Sequence, residues 1–174
     1  MGSSLKEAFY RVEIQFPGFS QEFIVEMLRR LLPEQDISEI YLRLACLREF
    51  VLVKNPNHEN FDELEVAAQN LKCVLSKIPD TIDDRRKFID LIKEIAASIK
   101  KLLDCTMYVI DSLPNGNHKK SLDDNKNKFL SYSRRFSNNL KTFFCEKKPE
   151  QVFSSAVFLV NQVNLIIFVI RDYN

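Results

Sequence analysis

The sequence predicts an all-α fold, and three observations carry that prediction. Only 3 Gly and 6 Pro occur in 174 residues, and the prolines fall between apolar-periodic segments rather than inside them. This distribution favours helices joined by short turns over a β-protein. Apolar residues recur at spacings of three and four over long stretches, as on one face of a helix. A composition with 45% hydrophobic and 28% charged residues is ordinary for a globular chain.

Three short helical patterns occupy the first third of the chain. The first runs from Leu5 to Phe16, Ser20 is the predicted N-cap of the second, and the third begins near Ile37. A unit of this size buries too little surface to be stable without support, so we expect it to pack on a partner chain. The expected breaks are Pro17-Gly18, Pro33 and Asn55-Pro56-Asn57. The predicted apolar face of the third helix is Ile40, Tyr41, Leu44, Leu47 and Val51.

Four longer patterns fill the remaining two thirds and predict an antiparallel four-helix bundle, because the breaks between them are short. Asn60 is the predicted N-cap of the first pattern, and Pro79 ends it. Thr81 with Asp84 three residues later resembles a capping box for the second. The patterns are Phe61 to Ile78, Thr81 to Ser112, Ser121 to Cys145 and Glu150 to Tyr173. The predicted division is an N-terminal helical domain at residues 1–56, a linker at 57–60 and the bundle at 61–174.

The second and third bundle helices each carry a second strip beside their core stripe. Each helical residue advances about 100° around the axis. Measured from the core stripe, the second strip therefore lies at about 60–100°, and cations seven residues apart lie just beyond it. Such a layout makes a shallow trough with cationic walls, suited to an acidic amphipathic helix. The alternative is that the cations only solvate a bundle face. The strips are Ile89, Ala96, Leu103, Ser133 and Ser137; the cations are Lys93, Lys100, Arg134 and Lys141; the core stripes are Phe88, Ile92, Ile95, Ile99, Leu102, Thr106 and Ile110, and Phe129, Tyr132, Phe136, Leu140 and Phe143.

Several function classes are disfavoured by composition and spacing. A net charge of +1 gives no general attraction to nucleic acid. No Gly-rich phosphate loop, nucleophile motif or metal-ligand spacing occurs, and His58 and His118 lie in polar loop stretches, so we expect no enzyme, metal or cofactor. Paired acids at Asp83-Asp84 and Asp123-Asp124 are expected in first helical turns. The four widely spaced cysteines predict free, core or half-buried thiols in a reducing compartment; they are Cys46, Cys73, Cys105 and Cys145.

Membrane association is the competing class. The apolar run from Ala156 to Ile170 is shorter than the ~20 residues needed to span a bilayer, so we expect a buried bundle helix. A peripheral module that binds anionic lipid stays open, because each cation near such a surface contributes roughly 1 kcal/mol. The basic runs that would bind are Arg85-Arg86-Lys87, Lys119-Lys120 and Lys147-Lys148.

The sequence closely resembles the programmed cell death 10 family, also called the cerebral cavernous malformation 3 proteins. The resemblance rests on LSKIPDTIDDRRKFIDLIKEIAASIKKLLD (Leu75 to Asp104), on YSRRFSNNLKTFF (Tyr132 to Phe144) and on isolated N-terminal positions. Those positions are Ala8, Phe9, Pro17 and Gly18. The resemblance implies a small non-enzymatic adaptor with an N-terminal dimerisation domain and a focal-adhesion-targeting homology bundle. The family usually carries about one further helix ahead of Leu5, so we expect weaker self-association here.

The resemblance also implies partners and sites. The dimerisation domain of the family pairs with itself or with the tails of germinal-centre kinases of subgroup III, through positions that fall on Leu5, Ala8, Met27 and Leu28. The family's bundle binds leucine-aspartate motifs, as in malcavernin or paxillin, through lysines that correspond to the four trough cations, and it links kinases to striatin-type phosphatase complexes. Arg134 in place of lysine keeps the charge but changes the hydrogen-bond geometry. The implied location is cytoplasmic, with peripheral Golgi or plasma-membrane association.

Overall fold

All elements in the described part of the chain are α-helices. The computed structural model describes residues 2–16, 19–31, 37–46 and 59–173, and within them it contains no strand. The all-α prediction is therefore confirmed. The helices are α1 Gly2–Gln15, α2 Phe19–Leu31, α3 Ser38–Cys46, α4 Glu59–Ser76, α5 Ile78–Thr81, α6 Arg85–Ser112, α7 Asn117–Glu146 and α8 Glu150–Tyr173.

The first two helices pack against each other through aromatic side chains. The ring of Phe9 on α1 lies 6.1 Å from that of Phe19 and 5.4 Å from that of Phe23, both on α2. Ser20 was predicted as the N-cap of α2, which is wrong, since α2 begins at Phe19. The backbone N–H of Ser20 instead donates to the Glu13 carboxylate at 2.9 Å, so an acid from α1 satisfies a free donor at the start of α2. The predicted breaks at Pro17-Gly18 and Pro33 lie outside the described residues.

Helix α3 packs on α8 and α4, and this contact decides which of its faces is buried. Leu42, Ala45 and Cys46 are buried in the bundle core, whereas Ile40 is 39% and Leu44 41% exposed. The predicted apolar face is therefore wrong at these last two positions, because tertiary packing chose between two apolar faces of a nine-residue helix. Tyr41, another predicted member of this face, is half-buried. The remaining predicted members, Leu47 and Val51, and the predicted break at Asn55-Pro56-Asn57 lie outside the described residues.

The four long helices α4, α6, α7 and α8 form an up-and-down bundle. The order of the side-chain contacts between neighbouring helices shows that each pair runs antiparallel. The α8–α4 contact closes the arrangement. These contacts are Lys77 to Glu94 at 3.1 Å and Lys101 to Glu63 at 3.9 Å between α4 and α6, Phe88 to Phe143 at 5.5 Å between α6 and α7, the Asn139 amide to the Gln151 carbonyl at 3.0 Å between α7 and α8, and Arg171 to Glu65 at 2.8 Å between α8 and α4.

The core of the bundle follows the predicted stripes of α6 and α7. Phe88, Ile95 and Leu102 of α6 are buried, and Thr106 and Ile110 continue that stripe. The predicted stripe of α7 is also buried at four positions, which are Phe129, Phe136, Leu140 and Phe143. Three predicted members lie at the edge of the core and are only half-buried; they are Ile92, Ile99 and Tyr132.

The turn between α4 and α6 differs from the predicted capping box. Asp84, not Thr81, is the N-cap of α6: its carboxylate accepts hydrogen bonds from the backbone N–H groups of Arg86 and Lys87 at 3.1 and 3.2 Å. The Thr81 hydroxyl donates to the Lys77 carbonyl at 2.9 Å and thereby closes the single turn of α5. Pro79 lies within that turn, where a missing N–H costs little.

The other bundle boundaries are close to the predicted ones. Asn60, predicted as an N-cap, lies inside α4, which begins at Glu59. Helix α7 begins at Asn117, four residues before the predicted Ser121, and Lys147 ends it in the left-handed conformation with φ 60°. Helix α8 has the predicted bounds.

Helix α8 is long and apolar enough to cross a membrane by length and composition: within Glu150–Asp172, an 18-residue window has mean hydropathy 2.0. The shorter apolar run used for the prediction understated its length. Yet 61% of this window is buried within the described structure, as in the core helix of a bundle. Gln162 is one of its buried polar residues, and its amide donates to the Asn125 side-chain oxygen at 2.8 Å.

All four thiols are free, but they divide into two classes. Cys46 and Cys105 are buried, whereas Cys73 and Cys145 are exposed. The prediction of core or half-buried cysteines is therefore wrong for Cys73 and Cys145, which fall on the outer faces of α4 and of the last turn of α7.

Candidate functional site

The outer face of α6 carries the predicted apolar strip and its two cations. Ile89 and Ala96 are exposed and Leu103 is half-buried, one turn or more apart along the helix. Lys93 and Lys100 are exposed beyond them. An apolar strip that the bundle leaves open is a candidate surface for a partner helix.

Helix α7 packs beside α6 and carries the small residues of the predicted trough. Ser133 is half-buried and Ser137 exposed. Their hydroxyls donate to carbonyls of their own helix, that of Ser133 to Leu130 at 2.9 Å and that of Ser137 to Ser133 at 3.0 Å. Because these polar groups are already satisfied, the strip offers mainly methylene and backbone surface to a partner.

The cations of the two helices differ in their electrostatic surroundings. Lys93 forms an ion pair with Asp90 at 2.8 Å, and both side chains are strongly exposed. Lys100, Arg134 and Lys141 are exposed and form no ion pair with any described residue. The charge at Lys93 is therefore partly compensated, a detail that the i, i+3 spacing of Asp90 and Lys93 would have revealed from the sequence.

The structure thus places the nine predicted trough residues on two adjacent helices, exposed or half-buried. At one end the Phe88 ring on α6 contacts Phe143 and Phe144 on α7, with centroids 5.5 and 6.0 Å apart. This aromatic contact holds the start of α6 to the end of α7. That the nine residues bind one ligand stays a prediction.

The α1–α2 pair presents a second candidate surface. Of the predicted interface residues, Ala8 and Met27 are exposed and Leu28 is half-buried. Leu5 lies in α1, but its side chain is outside the described structure. The predicted interface did not include further exposed apolar residues in and next to these helices, and their recurrence at helical spacing is the signal that was available. They are Tyr10, Phe16, Phe23, Ile24 and Leu31.

Two acidic residues of the bundle, Asp84 and Asp123, have structural partners. Hydrogen bonds from the backbone N–H of Lys87 and from its side chain lower the pKa of Asp84. A hydrogen bond from the Lys126 side chain at 2.5 Å lowers the pKa of Asp123. Asp123 lies in the second turn of α7, not the predicted first, because that helix begins earlier. Within residues 2–16, 19–31, 37–46 and 59–173, no three His, Cys, Asp or Glu side chains form a group that would hold a metal ion.

Comparison with known proteins identifies the family. Residues 35–123 match the family described as "Programmed cell death protein 10, C-terminal". The chain is also 33% identical to the "Programmed cell death protein 10 homolog" of Caenorhabditis elegans over 160 residues, which cover 88% of this chain and 74% of that protein. The matched regions include α3 to α6 and most of the remaining helices. The resemblance predicted from the sequence is confirmed, and the chain belongs to the programmed cell death protein 10 family.

Proposed function

We propose that this protein is a non-enzymatic adaptor that holds an acidic, leucine-rich helical motif against the strips of α6 and α7. Family membership suggests an adaptor-type role. The observation that carries the finer proposal is the presence of three exposed cations, without an ion pair to any described residue, beside an apolar strip that the bundle does not cover. They are Lys100, Arg134 and Lys141.

The apolar strip and the cations contribute to binding in different ways. Burial of Ile89, Ala96 and Leu103 under an amphipathic helix supplies affinity, at roughly 25 cal/mol per Å² of apolar surface. Exposed ion pairs are individually weak, about 0.2–1 kcal/mol, so the cations mainly orient the ligand and speed association. Leucine-aspartate motifs, such as those of malcavernin or paxillin, have this chemistry.

The α1–α2 surface is proposed to pair with a second copy or with the tail of a subgroup III germinal-centre kinase. Its exposed aromatic and aliphatic side chains exceed what a small helical pair usually leaves in water. With one partner on α1–α2 and another on α6–α7, the chain would join a kinase to motif-bearing proteins and striatin-type complexes. The proposed location is cytoplasmic, with peripheral association at the Golgi or plasma membrane.

A fluorescence-polarisation titration tests the bundle site. The probe is a labelled acidic helical peptide with leucine-aspartate repeats, and the variant replaces Lys93, Lys100, Arg134 and Lys141 with Ala. We expect a loss of at least about tenfold in affinity, with a melting temperature close to that of the wild type because all four are exposed. Lys100→Ala should weaken binding more than Lys93→Ala, since Asp90 already compensates Lys93.

The matched control is the double variant Arg85→Glu and Arg86→Glu. Both arginines are exposed at the start of α6, where acids do not harm the helix. Equal affinity of the fourfold variant and the wild type would show that the four cations only solvate the surface. An equal loss of affinity in the control would show that the effect comes from net charge alone.

Membrane binding through the three basic runs is the second candidate. Arg85-Arg86 at the start of α6 and Lys147-Lys148 at the end of α7 lie at the same end of the bundle, as the Phe88–Phe143 contact shows. Lys119-Lys120 lies in the first turn of α7, at the opposite end, so a membrane that met all three runs would have to contact the bundle along its whole length. Sedimentation with phosphoinositide vesicles over a salt series tests it: binding that survives the fourfold trough variant but is lost in the Arg85/Arg86 variant would favour this candidate.

A further inference from the structure

An aromatic pair lies at the molecular surface between α7 and α8. The rings of Tyr132 on α7 and Phe158 on α8 are nearly parallel, with an interplanar angle of 8° and centroids 5.7 Å apart. Phe158 remains 41% exposed although it sits on the most apolar helix of the bundle. This stacked pair, the platform, therefore leaves part of an apolar ring open to solvent.

Arg135 lies across this platform. Its guanidinium carbon is 5.3 Å from the centroid of the Phe158 ring, within the range of a cation–π contact. Arg135 forms no ion pair with any described residue. The N–H edge of a guanidinium matches a carboxylate with two parallel hydrogen bonds.

The segments of α7 and α8 that form the platform carry a single sign of charge. Between residues 125 and 145, α7 contains five cations and no acid, and residues 151–170 of α8 contain no charged residue. Lys128, one turn before Tyr132, is exposed and also lacks an ion pair in the described structure. The nearest acids along the chain stand at the ends of these segments, and the platform itself attracts negative charge.

This surface is distinct from the trough on the other side of α7. Tyr132 lies in the row formed by Asn125 and Asn139, whose side chains reach α8 through Gln162 and the Gln151 carbonyl. Arg135 neighbours that row, whereas Arg134 and Lys141 lie roughly 100° or more around the helix from it. A ligand in the trough would leave the platform uncovered.

We propose that the Tyr132–Phe158–Arg135 platform is a second docking surface, and that its occupant is an acidic segment of a partner protein. An apolar side chain of the segment covers the exposed ring of Phe158, and a carboxylate pairs with the edge of Arg135 while Lys128 attracts a second acid. Aromatic residues and arginine are the types that dominate binding energy at protein interfaces. Two cations beside an aromatic pair suit a short peptide better than a membrane, which would need a wider basic surface.

The test isolates the platform from the trough. The full chain with Lys93, Lys100, Arg134 and Lys141 replaced by Ala is titrated with a fluorescein-labelled dodecapeptide made of three Glu-Phe-Asp-Leu repeats. We expect binding to persist in this background, because the platform is intact. Arg135→Glu should then weaken it about tenfold and Phe158→Ala about fivefold, and the neutral Arg135→Gln should lie between wild type and Arg135→Glu.

Two control substitutions in the same background match the test residues. Phe168 on α8 is 39% exposed, almost as much as Phe158, but belongs to the side of the helix that includes Arg171. Arg86 is an exposed arginine without an ion pair in the described residues. Phe168→Ala and Arg86→Glu should stay within twofold of the background. Absence of binding in the background, insensitivity to Arg135→Glu and Phe158→Ala, or an equal loss in both controls would each overturn the proposal, whatever the fate of the trough.

Discussion

Cys46 is the residue whose chemistry the fold changes most. Loss of solvent where α3 packs on the bundle raises the pKa of its thiol from near 9 to about 12, against the opposing charge of Lys72. Lys72 is itself buried, on the adjacent face of α4. A thiol held neutral in this way is a poor nucleophile, so the exposed Cys73 and Cys145 should react first with alkylating reagents.

The raised pKa of Cys46 predicts a dependence of stability on alkaline pH. Below the ordinary thiol value near 9 the group is protonated in both states, and its contribution is complete. Above that value the unfolded chain loses the proton while the folded chain keeps it, so the stabilisation decreases until about pH 12. The difference in free energy of unfolding between wild type and Cys46→Ala should therefore shrink with rising pH, by up to about 1.4 kcal/mol per unit.

Urea titrations from pH 8 to 11 in the presence of a reductant measure this difference. Lysine and tyrosine titrations are common to both proteins and cancel. A gap between the two proteins that stays constant over this range would mean that Cys46 ionises as freely in the folded state as in the unfolded one.

At the scale of one helix, the start of α6 depends on Asp84. Its carboxylate satisfies two backbone donors, whereas the Thr81 hydroxyl serves α5. Asp84→Ala should lower the melting temperature by roughly 2–4 °C, more than Thr81→Ala. Because its pKa is lowered from 3.8, the stabilisation is complete above that value and is lost as pH falls through the folded-state pKa. Circular-dichroism melts at pH 7 and at low pH check both points; a larger effect of Thr81→Ala would contradict the assignment of the cap.

Long helices were predictable where short ones were not. Over the 28 residues of α6 the apolar period leaves one consistent face, so Phe88, Ile95 and Leu102 could be assigned to the core from the sequence. Over the nine residues of α3, Leu42 and Leu44 compete, and the contact with α8 decides. Two good N-cap residues within one turn, Thr81 and Asp84, pose the same problem, because hydrogen bonds made by α5 select between them.

At the scale of the whole molecule, surfaces formed by one helix could be predicted from the sequence more fully than surfaces formed between two helices. The exposure of Lys100 and Arg134 follows from helical geometry once the core stripe is known. The Tyr132–Phe158 stack does not, since its rings come from two helices whose register depends on packing. Binding sites made by one helix can be read from periodicity, but those made between helices require the structure.

The up-and-down order of the bundle has a kinetic consequence. Neighbouring helices follow each other in the chain, so most helix pairs close short loops, and such topologies fold fast. The contacts of α8 with α3 and with α4 are the exceptions; in the α8–α4 contact, Arg171 and Glu65 are 106 residues apart. We expect the α8–α4 contact to form after the transition state, because closing a long loop costs conformational entropy before the contact contributes any stabilisation.

Arg171→Ala should therefore accelerate unfolding and leave the refolding rate nearly unchanged. The loss in equilibrium stability is expected at about 1–3 kcal/mol, because the buried Glu65 carboxylate loses its partner. Lys77→Ala, which removes the α4–α6 pair across only 17 residues, is the comparison. Stopped-flow refolding and unfolding in urea separate the two arms, and a refolding arm that slows in Arg171→Ala would show that α8 docks on α4 early. Late docking would make α8, the most apolar helix, the last part of the bundle to be covered, and so the segment most exposed to chaperones while the chain folds.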